Sequence, residues 1–254
     1  MFRIVTYNVL AQSYVKPRRY PNCSPADLDA DTRRARLFDH IESLDADILA
    51  LQEAEPDLIE ALRERLTGLP HLHAAQHQDA PDGCAIFSKT PFTNRANPFH
   101  HLPDTRTRAT VLASTEIDSR RVGVASVHLS WQPNETPTLE HLGRAQLLET
   151  LDHIERADPE ATWIICGDFN ANSQSCVIRA AEERGWVLSC RSQRPWDSTN
   201  INNRRRKIDY LLIRHGSLIP TPGKLPKLGR YEPMPSATHP SDHLAVSVDF
   251  EFPT

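Results

Sequence analysis

The chain has 254 residues, 39% of them hydrophobic, with 29 Lys and Arg against 33 Asp and Glu, a formal charge of -4, a pI near 6.3 and a mean hydropathy of -0.49. These values exclude a helical membrane protein, since no apolar run approaches the roughly 20 residues that cross a bilayer. They also exclude a globally basic nucleic-acid binder, so any site for a polyanion must be a local patch.

Phe2 to Asn8 read as a first strand. The stretch from Ala11 to Pro25 is irregular. A helix is expected from Ser24-Pro25 onward, with Leu37, Phe38, Ile41 and Leu44 as its apolar stripe. Asp47 to Glu53 is a short apolar run ending in an acid, and Pro56 opens a second helix with Leu58, Ile59, Leu62 and Leu66. Gly83 to Phe87, Thr107 to Ile117 and Arg121 to His128 are strand-like, with a hairpin at Asp118-Ser119. A third helix is expected over Leu139 to Ile154, then a strand from Trp163 to Asp168, a helix over Val177 to Glu183 and a strand over Val187 to Cys190. A polar loop from Ser192 to Arg206 leads into the strand Lys207 to Ile213. A Pro-rich loop, Pro220 to Pro240, precedes the last strand, Leu244 to Phe250. No composition break marks a linker, so the expectation is a single domain over 1–254 with mixed sheets covered by helices. Cys23, Cys84, Cys166, Cys176 and Cys190 are odd in number and lack zinc spacing. That pattern and the absence of a secretory leader pattern point to a reducing, cytoplasmic setting.

The strand ends carry the chemistry. Asp168 and Asn170 lie two residues apart after an apolar strand, so on extended backbone they share a side. A buried carboxylate there is costly without a partner or a metal. Asn8, Glu53, His128 and Asp209 also sit beside apolar runs, and Ser241-Asp242-His243 stands where the last strand begins. One acid at a strand end is usually a cap or a surface ion pair. So many in succession are hard to explain by caps.

The segments Tyr7-Asn8-Val9-Leu10, Leu51-Gln52-Glu53, Val127-His128-Leu129, Gly167-Asp168-Phe169-Asn170, Ile208-Asp209-Tyr210 and Ser241-Asp242-His243 together resemble the endonuclease/exonuclease/phosphatase superfamily of metal-dependent phosphoesterases. Within it, Tyr20-Pro21-Asn22-Cys23, Arg33-Arg34-Ala35, Asp82-Gly83-Cys84-Ala85-Ile86-Phe87 and His128-Leu129-Ser130-Trp131-Gln132-Pro133 are similar to the branch of carbon-catabolite-repressor deadenylases, nocturnin and Angel proteins. The resemblance implies a four-layer α/β sandwich: two mixed β-sheets face to face, helices on both outer faces, the site at one rim. It implies a hydrolase of RNA ends that uses Mg2+ or Mn2+, as one or two ions. A 3′–5′ exoribonuclease is the first expectation and a 2′,3′-cyclic phosphatase the second. A DNA or abasic-site endonuclease, a small-molecule phosphodiesterase and a non-catalytic RNA-binding module are the remaining alternatives.

The residue roles follow from what a phosphodiester needs: a charge sink, an activated water and a stabilised leaving oxygen. Glu53 is the first metal ligand, with Asn8, Asp242 and Asp168 beside it. Asp168 and Asn170 hold the water and the phosphate, His243 acts as acid or base oriented by Asp209, and His128 donates to a non-bridging oxygen. Arg106, Arg108, Trp131 and Arg205 are candidate substrate contacts. Where the deadenylases carry a base-stacking aromatic, Thr199 to Lys207 offers amides and cations, which favour phosphate over adenine. No adaptor-binding region is evident, and a monomer is expected.

Overall fold

The computed structural model describes residues 1–78, 80–100, 108–189 and 197–253, with backbone alone at Phe99 and His100. Arg106 and Cys190 lie outside the described residues. The first sheet has six strands in the order β15-β16-β1-β2-β4-β3: β1 (Phe2–Asn8), β2 (Ile48–Ala54), β3 (His71–Gln76), β4 (Gly83–Ser88), β15 (Ile219–Pro222) and β16 (Val246–Glu251). The second follows β11-β14-β10-β9-β8-β5: β5 (Phe92–Ala96), β8 (Val111–Ile117), β9 (Arg120–His128), β10 (Thr162–Asp168), β11 (Trp186–Leu188) and β14 (Asp209–Arg214). Among the described residues there are also two short two-stranded sheets, β6 (Phe99–His100) with β7 (Arg108–Ala109), and β12 (Thr199–Ile201) with β13 (Arg204–Arg206).

Both sheets are mixed. β1 runs parallel to β2 and β9 parallel to β10, and the other pairings within these two sheets are antiparallel. Parallel neighbours need a crossover, and here each crossover contains a helix. α1 (Pro25–Leu28) and α2 (Ala30–Ser43) connect β1 to β2, and α4 (Leu142–Ala157) connects β9 to β10; α3 (Pro56–Arg65) follows β2 and α5 (Cys176–Glu183) follows β10.

Strand alternation sorts the side chains into three apolar layers. Ile4, Ile48 and Ile86 meet Val124, Ile164 and Leu211 between the sheets. Val5, Leu49 and Leu51 point outward under Leu37, Ile41, Leu58 and Leu62 of α2 and α3. Ala125, Ile165 and Leu212 point outward under Leu147, Leu151, Val177 and Ile178 of α4 and α5. The result is the α/β/β/α sandwich the resemblance implied. No helix among the described residues is long and apolar enough to cross a membrane.

Local differences from the sequence reading have physical causes. The single helix expected after Ser24 is two, because Asp29 turns extended and caps α2 through Thr32 N–H. The third helix starts at Leu142, where His141 caps it through Arg144 N–H at 3.4 Å, and Leu139 is exposed. The Asp118-Ser119 hairpin is present, with both residues at positive φ as a two-residue β-turn requires. The polar stretch before Lys207 is partly the β12–β13 hairpin, its turn made by Asn202 and Asn203 at φ 51° and 64°.

Register places the site. Asp168 pairs with His128 on one side and with Asp209 on the other, so the three stand in one row at the end of the second sheet. Just before them, Gly167 has φ 142°, and a Cβ there would lie 1.9 Å from Val127 O. Gly167→Ala should therefore cost about 3 kcal/mol or more, from strain plus collision with backbone. Denaturant unfolding would read this, and a loss below about 1 kcal/mol would contradict it.

Candidate active site

Glu53 reaches the rim through a break in its strand. The pairing of β2 with β4 slips between Leu51 and Ala54, and Glu53 takes φ 54°, costly for a side-chain-bearing residue. The kink lets consecutive residues do different work. Gln52 is fully buried between the sheets, where its amide donates to Thr6 and to Ser126 Oγ, at 3.1 and 3.0 Å. Glu53 instead takes Ala11 N–H on Oε2 at 3.1 Å and the Asn8 amide on Oε1 at 3.0 Å.

The same Asn8 nitrogen donates to Asp168 Oδ2 at 3.1 Å, while Asn8 Oδ1 accepts Leu10 N–H at 3.0 Å. Asn8 was expected as a metal ligand. In the structure it turns its nitrogen to the acids and clamps one carboxylate from each sheet. Asp168 Oδ1 accepts Asn170 N–H at 2.8 Å, and the Asn170 amide donates to Leu129 O at 3.0 Å. Asn170 has φ 49°. It shares the site with Asp168 through a left-handed turn after the strand, and not through strand alternation.

His243 Nδ1 lies 3.1 and 3.0 Å from the two oxygens of Asp209. Its Nε2 is 3.7 Å from Asp168 Oδ2 and 4.0 Å from Asp242 Oδ1. Ser198 donates to Asp209 Oδ2 at 2.5 Å, and Tyr20 OH donates to Asp242 Oδ2 at 3.0 Å. His128 completes the group from β9, with Nε2 3.9 Å from Glu53 Oε1 and 3.8 Å from Asp168 Oδ2.

Burial sets the electrostatics. Desolvation, with the charge of Asp242, pushes Glu53 up to about 7. Desolvation and Asp209 push Asp168 up to about 6. Desolvation, Arg108 and nearby imidazoles hold His128 well below its usual range. Burial also works against a charged His243, but the Asp209 carboxylate and its hydrogen bond, with Asp168 and Asp242, overcome this and hold it well above the usual range. Acids this buried fit a divalent cation, which needs oxygen ligands and would relieve their mutual repulsion. Glu53, Asp168 and Asp242 line the cavity such an ion would enter. Asp168, Asp209 and His243 are also close enough to share an ion, though Asp209 is engaged by His243 and Ser198.

Glu53, His128, Asp168, Asn170, Asp242 and His243 all line a cavity of about 340 Å³. Tyr14, Arg19, Tyr20, Asn202 and Arg206 line it too, and none of these was singled out as a site residue from the sequence. Arg205 was expected to contact substrate. The structure turns it away, 3.0 Å from Leu228 O and 3.4 Å from Asp197, because strand alternation gives Arg206 the cavity side. Trp131 is 56% exposed and outside the cavity lining. Arg33, buried at 3% exposure, binds Val9 O, Leu10 O and Pro240 O, tying the loop after β1 to the loop before His243.

Arg108 acts through His128. Its Nη1 lies 2.9 Å from His128 Nδ1, and a guanidinium can only donate. Nδ1 is therefore the acceptor and the proton sits on Nε2, facing the acids. The next residue does the same for His77, whose Nδ1 accepts Ala109 N–H at 2.9 Å. His77, Asp82 and His128 lie close enough to hold an ion, but these tautomers direct N–H groups, and not lone pairs, into the cluster. Arg108→Met should release the His128 tautomer and lower kcat by about 10²-fold. Ring 15N shifts should show mixed tautomers, with Arg108→Lys restoring both readouts. An unchanged 15N pattern in the Met variant would contradict this.

The family profile described as Endonuclease/Exonuclease/phosphatase family matches residues 5–243. The chain is 24% identical over 326 aligned positions to 2′,5′-phosphodiesterase 12 of Homo sapiens, covering 99% of this chain and 52% of that protein. It is 26% identical over 285 positions to nocturnin of Homo sapiens, covering 98% and 65%. The chain thus spans about half to two thirds of these relatives. The crystal structure of ANGEL2, a 2′,3′-cyclic phosphatase, in complex with adenosine-2′,3′-vanadate aligns with a TM-score of 0.79 at 20% identity, over 99% of this chain and 95% of that one; at that identity the likeness speaks for the fold.

Proposed function

The chain belongs to the endonuclease/exonuclease/phosphatase family, and from that premise we propose that it is a magnesium- or manganese-dependent hydrolase of phosphate esters at RNA 3′ ends, working as a 3′–5′ exoribonuclease. One observation carries this reading. A single amide, Asn8, joins a carboxylate from each sheet, and an Asp-held imidazolium stands 3.7 Å from one of them.

An ion held by Glu53, Asp168 and Asp242 would supply the charge sink for the phosphate and lower the pKa of the attacking water. Asp168 would accept a proton from the attacking water, its carboxylate fixed by Asn170 N–H. His128 donates Nε2–H to a non-bridging oxygen. His243 gives its Nε2 proton to the leaving oxygen, while Asp209 holds Nδ1–H and stabilises the charge. The free thiols of Cys23, Cys84, Cys166 and Cys176 support a reducing, cytoplasmic setting. The shared inter-sheet core supports a single domain over 1–254, which we propose acts as a monomer.

A 2′,3′-cyclic phosphatase is the second reading. It is favoured by the cavity edge at Ile201, Asn202 and Arg206, which offers no stacking ring for adenine. RNAs of one sequence ending in a 3′-hydroxyl or in a 2′,3′-cyclic phosphate separate the two. Shortened products support the exonuclease, and full-length opened or dephosphorylated ends overturn it in favour of the phosphatase.

Protons should compete with the ion, since Glu53 titrates near 7 and Asp168 near 6 without metal. The melting-temperature rise on adding Mg2+ should be small at about pH 5.5 and grow to a plateau by about pH 8. Thermal melts in Mg2+ and in EDTA test this, and equal rises at both pH values would contradict it.

A further inference from the structure

We propose that the face of the β12–β13 hairpin carrying Arg204 and Arg206 is a phosphate track, which continues the catalytic cavity and takes the backbone of a single-stranded oligonucleotide beyond the ester being hydrolysed. The proposal rests on the RNA-hydrolase reading and deepens it, because it makes the substrate a polymer and not a dinucleotide.

The hairpin sorts three consecutive arginines by side. Asn200 pairs with Arg205, and both point toward the loop near Gly229, where the Asn200 amide donates to Glu232 O at 2.7 Å and Arg205 is held by Leu228 O and Asp197. Arg204 and Arg206 take the opposite face and are exposed. Among the described residues no ion pair engages either guanidinium.

These two arginines, with Ile201 and Asn202, line a second cavity of about 360 Å³. Ile201, Asn202 and Arg206 line the catalytic cavity as well, so the two spaces share a wall and Arg206 borders both. Asn202 donates to Arg19 O at 2.6 Å, which fixes the hairpin tip against a segment whose own Arg19 faces the catalytic cavity. On a chain of net charge -4 this is a local concentration of positive charge, without ion-pair partners among the described residues, beside an acid-rich centre. Guanidinium forks match phosphate oxygens, and the lining of the second cavity holds no ring for a base, so the track reads backbone and not sequence. The ordinary role of cations on a short exposed hairpin is to guard its edge, but that role would not distinguish Arg204 from Arg205.

The test is binding of a fluorescein-labelled, unstructured oligoribonucleotide in EDTA over a salt series, for wild type, Arg204→Gln and Arg205→Gln. Each lost phosphate contact should flatten the slope of log K against log salt by about 0.7. The expected result is that flattening for Arg204→Gln and none for Arg205→Gln, which removes the same charge from the other face. In Mg2+, Arg204→Gln should also lower the preference for the oligonucleotide over a dinucleotide about 10-fold, through KM. Equal slopes for all three proteins, or equal loss in both variants, would overturn the track. A slope change limited to Arg204→Gln in a protein that hydrolyses neither RNA would keep the track and remove the hydrolase reading.

Discussion

Glu53→Gln should cut turnover of an RNA 3′ end by about 10³-fold or more, with stability within about 1 kcal/mol of the parent in EDTA near about pH 6. Glutamine keeps the length and one acceptor of Glu53, so of the contacts to Ala11 N–H and the Asn8 amide one is retained and one becomes donor against donor. Against that loss, the substitution removes a buried acid that Asp242 repels. The pH dependence has a definite sign. The folded pKa of about 7 lies above the ordinary glutamate value of 4.5, so the stabilising contribution of protonated Glu53 is lost as pH rises through 7. In EDTA, the variant should gain stability relative to the parent between about pH 5 and about pH 8. It should also lose most of the Mg2+-dependent rise in melting temperature. A variant that kept near-parental turnover would show that the ion sits elsewhere.

His243→Ala should lower kcat by about 10³-fold, the range expected for removing a positioned acid. Asp209→Asn tests the other half of the pair. His243 stays charged because Asp209 binds and faces it, with help from Asp168 and Asp242, against the cost of burial. Without the Asp209 charge, His243 should lose its proton at lower pH. The alkaline limb of the pH–rate profile should then move down, and the loss of rate should be largest at the high-pH side. Because the two residues act as one unit, adding His243→Ala to Asp209→Asn should cost little more than His243→Ala alone. Fully additive losses, or an unmoved alkaline limb, would mean that His243 serves only to place the phosphate.

Much of the architecture was legible in the sequence, and the rest was hidden for identifiable reasons. The central strands announce themselves because sheets covered on both faces need near-continuous apolar runs, as in Ile164-Ile165-Cys166 and Leu49-Ala50-Leu51. Polar residues ending such runs were therefore visible as a set: Asn8, Glu53, His128, Asp168 and Asp209. Edge strands carry no such run. His71–Gln76 and Phe92–Ala96 have mixed faces and mostly partial exposure, and neither was found. Departures from regular backbone were equally opaque. The slipped register at Glu53, the left-handed Asn170 and the Asn202-Asn203 turn leave no periodic trace, yet they decide which side chains face the cavity. The turn at Asn202 sets the phase of the arginines and so puts Arg206, and not Arg205, at the site. Tyr20 on Asp242 and Ser198 on Asp209 come from loops, and Arg33 under the rim comes from α2; none of these contacts follows from a periodic pattern. Tyr20 and Arg33 belonged to segments similar to the deadenylase branch, which was the available signal for them.

On the proposed reading, the residues gathered at this rim form one metal-requiring phosphoesterase site for RNA 3′ ends. The most direct measurement follows a 3′-labelled, single-stranded RNA incubated with the protein in Mg2+, in EDTA, and in EDTA followed by excess Mg2+. The expected result is release of label in Mg2+, none in EDTA and recovery on re-addition, with Glu53→Gln inactive throughout. Release of label in EDTA, or by Glu53→Gln at the parental rate, would contradict it.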